Sequence, residues 1–266
     1  MTPFKAIGPS LTAMSVVVVP VDPPREGLVL SRLYATTPLS QADAADLYAA
    51  MVKDTVSAAH GSGGDLLVNY RPDDLLSEQY REAESAQTAV RATVETALSD
   101  LEDVRFERQV GSTYAGRVGN TVTHLLKQED AGAVLVVDPT AVLAGRTVID
   151  SAGMKVRRSE VVLGPAPGGR VHLAGFAEPI DFENAYAAPA VETLTARAGD
   201  AGYNVDFVEL SPVVETGSDL ATLVSIVRAR AAAGRIIPEH TLGVIEDLGL
   251  SVGEGELTSA SGTDTS

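Results

Sequence analysis

Two stretches of the chain carry almost no polar side chain: the run VVVVPV at 16–21, ended by Asp22, Pro23 and Pro24, and AVLVV at 133–137, ended by Asp138 and Pro139. A strand with one wet face alternates apolar and polar residues. An unbroken β-branched run has no polar side to turn outward, so it must be covered on both faces, the situation of a strand inside a parallel sheet flanked by helices. The sequence between and after these runs has the periodicity of such helices. PLSQADAADLYAAMVKDTVSAAHG (38–61) opens with Ser40 and Asp43 at capping-box spacing, repeats apolar residues at 47, 51, 52 and 56, and closes on Gly61. Further helices are expected over 77–99, 114–128, about 140–152, 189–201, 218–233 and after Pro238. Further strands are expected over 64–70, 104–110 and 204–210, and on both sides of a break in VVLGPAPGGRVHLAGF (161–176) that holds two prolines and three glycines.

Strand and helix in alternation predict a three-layer α/β/α sandwich around a mostly parallel sheet, built as one domain over 14–252. Residues 1–13 read as an unanchored N-terminus, with Met14 a candidate true start, and the polar, glycine-rich tail from Gly253 reads as disordered. Cysteine is absent, which excludes disulfides, thiolate metal sites and a cysteine nucleophile. The apolar run at 14–21 is far shorter than the ~20 residues a membrane helix needs and lacks the charge and cleavage pattern of a signal peptide. The expectation is therefore a soluble, cytoplasmic protein with no membrane insertion.

Charge narrows the partners. The formal net charge is −16, from 36 acidic and 20 basic residues. Such a surface repels phosphate backbones and anionic lipid, so no nucleic-acid partner is expected. The scattered acids and the scarcity of lysine resemble the surfaces of proteins from extreme halophiles, where salt screens the self-repulsion.

Sheets of this kind bind ligands beyond the carboxyl ends of their strands. Two strands stop on an acid, Asp22 and Asp138. A carboxylate at a buried strand tip can hold Mg²⁺ or Mn²⁺ against a nucleotide's phosphates, because hard cations take oxygen ligands. An Asp-Pro pair can equally begin a turn by bonding its own backbone. Of four histidines, His60, His124 and His240 fall at helix ends or surface positions, and His172, in the strand after the glycine-rich break, is the candidate acid–base group. They do not cluster at zinc-ligand spacing. GSGG at 61–64 precedes a strand and lacks a following Lys-Ser/Thr, so it is no phosphate loop, and no Gly-x-Ser-x-Gly or Gly-x-Gly-x-x-Gly motif occurs where hydrolase or dehydrogenase chemistry would need it.

The order VVVVPVDPP, SRL, PLSQADAADLYAAMVKDTV, VLVVDP, VVLGPAPGG with VHLAGF, and VELSPVVETGSDLATL resembles the glycosyltransferase-A-type family known as the domain of unknown function 2064 group, over most of residues 14–230. The resemblance is to a divergent, halophilic archaeal-type member. These are relatives of nucleotide-diphospho-sugar transferases and small nucleotidyltransferases. What the resemblance implies is a nucleotide or nucleotide-sugar ligand, metal ligands at Asp138 and Glu215, and Arg32 offsetting charge on a leaving diphosphate. It also implies a small-residue loop, Gly164, Pro165, Ala166, Gly168 and Gly169, lining the donor and acceptor cleft, where Asp22, from its place at a strand tip, is expected to bind the ligand too. The chain departs from the family's pattern in several places. Leu30 stands where the family has lysine, and Ala141 where it has a second metal-strand aspartate. Pro167 and Gly168 replace an acidic pair, Val171 and His172 replace tyrosines, and Glu215 replaces an aspartate. Two readings follow: a metal-assisted transferase acting on a nucleotide-activated donor, or a binding or regulatory protein of the same fold that has lost the chemistry.

Overall fold

In a computed structural model, which describes residues 14–253 and 256–258, the first strand sends alternate side chains into two different cores. Val17, Val19 and Val21 of β1 (Ser15–Val21) enter one cluster, and Val16 and Val18 enter another. Each fully buried valine contributes about 1.5–3 kcal/mol relative to exposure, which is why this run takes the middle of the sheet. The opposite faces are covered by α2 (Gln41–His60), α3 (Ala86–Glu95) and α5 (Arg146–Lys155) on one side, and by α4 (Tyr114–Lys127) and α6 (Ala190–Asp200) on the other.

The remaining strands are β2 (Asp65–Tyr70), β3 (Arg105–Arg108), β4 (Ala133–Val137), β5 (Val161–Ala166), β6 (Arg170–Phe176) and β7 (Val205–Phe207). They form a seven-stranded sheet in the order β3-β2-β1-β4-β6-β5-β7. Only β6 runs antiparallel. The expected three-layer architecture is thus what the chain adopts. A third cluster joins α2 to the short α1 (Ser31–Tyr34), α7 (Gly217–Ala232) and α8 (Glu239–Asp247). Among the described residues no helix is long and apolar enough to cross a membrane.

Several expected boundaries move. The capping box at α2 forms as read: Ser40 Oγ accepts from Asp43 N at 3.1 Å, and the Asp43 carboxylate accepts from Ser40 N at 2.9 Å. The helix expected over 77–99 shrinks to α3, because the buried Arg25 guanidinium donates to the carbonyls of Tyr80 and Glu84, at 2.7 Å each, and holds that segment out of the helix. The helix expected from 140 begins only at Arg146. The strand expected over 204–210 ends at Phe207.

The break at the centre of 161–176 also contracts. Gly164, Pro165 and Ala166 extend β5 with a register irregularity, leaving a three-residue connection, Pro167–Gly169, to β6. The tail expected to be disordered from Gly253 instead begins within a hairpin of β8 (Ser251–Gly253) and β9 (Glu256–Thr258), with Val252 and Leu257 packed on the third cluster. Residues 1–13, 254–255 and 259–266 lie outside the described residues.

Candidate active-site cleft

A parallel sheet brings the carboxyl ends of its strands to one edge. Asp22 follows β1, Gln109 follows β3 and Asp138 follows β4, while Arg170, the first residue of the antiparallel β6, arrives at the same edge. A cleft of about 260 Å³ opens there. Its walls include Asp22, Arg32, Tyr48, Gln109, Tyr114, Arg117, Asp138, Thr140 and Glu215.

Asp138 is fixed by the chain that follows it. Its Oδ1 accepts from the Thr140 N–H at 2.8 Å and from the Thr140 hydroxyl at 2.7 Å. The same hydroxyl oxygen accepts from Val214 N at 3.0 Å, so one side chain ties the β4 tip to the segment that carries Glu215. Burial pushes the Asp138 carboxyl above the usual carboxylate range, the Thr140 bonds pull it back, and the negative charge of Glu215 pushes it up again. Asp138 Oδ2 has no hydrogen-bond partner among the described residues.

Glu215 meets two cations. Arg32, on α1, donates to its Oε2 at 2.8 Å, and Arg170 Nη1 stands 3.6 Å from the same atom. Arg170 is itself clamped by Asp219, at 2.9 and 2.6 Å. Burial raises the Asp219 carboxyl and the Arg170 bonds outweigh it, so its pKa falls below the ordinary value. Asp219 also accepts from the backbone of Glu215 and Thr216 and completes the capping box of α7, so the helix start and the cleft wall are one network.

Asp22, at the tip of β1 and so beside β4 in the sheet, faces two guanidiniums. Arg71 Nη1 is 3.5 Å from its Oδ2, and burial raises its pKa while the charges of Arg71 and Arg117 oppose the rise. Tyr48 Oη accepts from Asp22 N at 3.1 Å. Tyr114 meets Tyr186 edge-on, with ring centroids 5.1 Å apart, and the Tyr186 hydroxyl is buried without a hydrogen-bond partner among the described residues.

The cleft therefore brings together Asp22, Arg32, Asp138 and Glu215, drawn from positions almost two hundred residues apart. It does not include His172 or the small-residue loop. His172 is buried, with Nε2 against the Glu209 carbonyl at 3.0 Å, and burial lowers its pKa, so the ring stays neutral inside the sheet. Gly164 is small because of that ring: a Cβ there would stand 2.5 Å from His172. Gly168 and Gly169 both have φ +74°, and a Cβ on Gly169 would stand 2.7 Å from the Cβ of Pro189. Pro165 and Ala166 are strand residues of β5. His172, expected as an acid–base group, is thus held inside the sheet, and residues 164–169, expected to line the cleft, lie in β5 and the turn after it, outside these walls.

Sequence reasoning missed Tyr48, Gln109, Tyr114, Arg117, Thr140 and Arg170. The Asp-x-Thr pattern at 138–140 was a legible sign of an Asx turn; the others are separated from their partners by whole elements and leave no local pattern.

Two carboxylates with free oxygens fit a hard divalent cation that takes its other ligands from water and phosphate. No group of three or more His, Asp or Glu side chains at metal-binding spacing occurs among the described residues.

No protein-family model matches the chain, and no curated protein matches it significantly in sequence. Similar solved structures exist. A protein from Desulfovibrio desulfuricans G20, provisionally described as a nucleotide-diphospho-sugar transferase, superposes with a TM-score of 0.68 at 17% identity, covering 88% of this chain and 95% of that one. The 4-diphosphocytidyl-2C-methyl-D-erythritol synthase of Anaerococcus prevotii DSM 20548 gives a TM-score of 0.48 at 11% identity, over 84% of this chain and 97% of that one. At the first of these similarities the fold is shared, and the sheet of this chain is that of the nucleotide-diphospho-sugar transferase-like α/β proteins.

Proposed function

We propose that this chain is a transferase that uses the cleft to bind a nucleotide-activated donor and moves its glycosyl or nucleotidyl group with the help of Mg²⁺ or Mn²⁺. The observation that carries the reading is that Asp138 and Glu215, 77 positions apart in the chain, both line the cleft at the strand edge where this fold class binds its ligands. The narrower kinship with the domain of unknown function 2064 group is part of the same proposal. When bound, the cation would offset charge on the donor's phosphates. Asp138 Oδ2 and Glu215 Oε1 are the oxygens that would hold it, and Asp138 keeps its orientation through Thr140. Arg32 is mostly exposed and tied only to Glu215, which lets it swing to an incoming phosphate and carry part of the charge that develops on the leaving group.

A second reading is favoured by the Arg32–Glu215–Arg170 contacts. With guanidiniums already on Glu215, the fold would bind a nucleotide or nucleotide sugar without catalysing transfer.

Thermal-shift titration in high salt, with Mn²⁺ and a panel of nucleoside diphosphates and nucleotide sugars, tests both. Stabilisation that grows with ligand concentration is expected, because binding to the folded state alone raises the melting temperature. Asp138→Ala is expected to remove its metal-dependent part. A response of the same size without Asp138 would clear that residue, and no response to any nucleotide would end both readings.

A further inference from the structure

Two arginines among the described residues are buried, and they are treated in opposite ways. Arg25, 4% exposed, is neutralised: Asp73 accepts from it at 2.8 Å, the carbonyls of Tyr80 and Glu84 accept at 2.7 Å each, and Glu82 stands 3.8 Å away. Arg117, 7% exposed, has no carboxylate in direct contact among the described residues, although the chain carries 36 acids. Its Nε donates to Gln109 Oε1 at 2.6 Å, its Nη1 reaches the Ser112 carbonyl only at 3.5 Å, and its Nη2 has no partner among the described residues.

The neutral side chain at 109 is the telling choice. Gln109 is 2% exposed and is itself fixed, donating to the Asn69 carbonyl at 2.7 Å. It aims the guanidinium while leaving its charge uncompensated. Burial and Arg71 both disfavour the charge on Arg117; Asp22, whose charge favours the cation, is shared with Arg71, so two positive charges face one negative charge here. An unpaired buried cation is costly unless something pairs with it. A guanidinium cannot escape by losing its proton. Arg117 lines the cleft beside Tyr114, so an anion entering from solvent can reach it.

We propose that Arg117, oriented by Gln109, is the anchor of an anion subsite in the cleft that takes a phosphate or carboxylate group beside Asp22. It rests on the transferase reading only in sharing the cleft.

The test uses the full chain in thermal-shift titrations with sodium phosphate and with sodium malonate, against sodium chloride at matched ionic strength, so that general screening of the −16 charge cancels. One of the two anions is expected to give a saturable rise in melting temperature beyond that of chloride, and the larger response names the group. Loss of a charge-assisted pair corresponds to about tenfold or more in affinity, so Arg117→Met is expected to abolish that rise. Gln109→Glu, which gives the guanidinium a permanent partner, is expected to abolish it too while raising the melting temperature of the ligand-free protein. Arg146→Met, an exposed arginine on α5, controls for net charge and should respond as the parent does.

An unchanged response in Arg117→Met, or in Gln109→Glu if the first variant does not fold, overturns the proposal. So does the absence of any rise beyond chloride. A nucleotide response with Mn²⁺ that survives both variants would leave the transferase reading standing without this subsite. An Arg117-dependent rise with no nucleotide response would leave the subsite standing without that reading.

Discussion

Replacing Thr140 by valine keeps the shape of the side chain and removes one hydroxyl, so it isolates the bond pair that joins Asp138 to the Glu215 segment. Two interactions go at once. The hydroxyl donates to Asp138 at 2.7 Å, a bond to a charged acceptor, and it accepts from Val214 N at 3.0 Å, a donor that is left buried and unpaired. A bond to a charged group contributes ~1.5–3 kcal/mol, and an orphaned buried N–H costs ~1–3 kcal/mol. Asp138 borders the cleft and can recover part of its loss from water, which reduces the sum to about 2–4 kcal/mol. For a chain of this size each kcal/mol moves the melting temperature by roughly 2–4 °C, so a fall of about 4–16 °C is expected by calorimetry at pH 7. Thr140→Ser keeps the hydroxyl and loses one methyl, about 1 kcal/mol, and is expected to recover most of the difference. If serine proves as damaging as valine, packing and not the hydroxyl holds this wall, and the argument that Thr140 positions Asp138 fails. A second readout separates position from stability. Without the hydroxyl the Asp138 carboxyl rises further, so any metal-dependent ligand response should need a higher pH to develop in the valine variant.

Asp138→Asn is expected to raise the melting temperature at pH 7. The carboxyl is pushed up by burial and by Glu215, against the pull of Thr140. A carboxyl whose pKa is higher folded than unfolded contributes stability that is fully present below its unfolded value and is lost as pH rises through the folded one. Asparagine should therefore flatten the pH dependence of stability on the acid side of neutrality; a variant as pH-sensitive as the parent would place the strain elsewhere. Gly164→Ala should lower the melting temperature without touching ligand response, since its Cβ would meet the His172 ring at 2.5 Å; a lost response with unchanged stability would restore the cleft role for this loop. Raising KCl from low to molar concentration should raise the melting temperature if the acidic surface is salt-adapted, and a flat curve would remove the halophile comparison.

Much of the fold was written into local pattern. The valines of β1 and β4 allow only a strand covered twice, and Ser40 with Asp43 starts α2 where the spacing says, because these signals depend on neighbours a few residues away. The 77–99 segment shows the opposite case: its helical composition yields to Arg25, a residue more than fifty positions earlier whose charge needed carbonyl partners.

The site divides along the same line. The sequence alone determined that Asp22 and Asp138 leave buried strands at one edge of a sheet, since strand identity and parallel topology together fix which ends of the strands lie side by side. Tertiary structure decided that Glu215 and Arg32 complete the cleft, that His172 is a neutral packing residue, and that Arg117 is left without an acid. Those are matters of which groups share a volume across long separations in the chain. Burial and charge in that volume depend on the partners present there, and no period or spacing in the sequence encodes them.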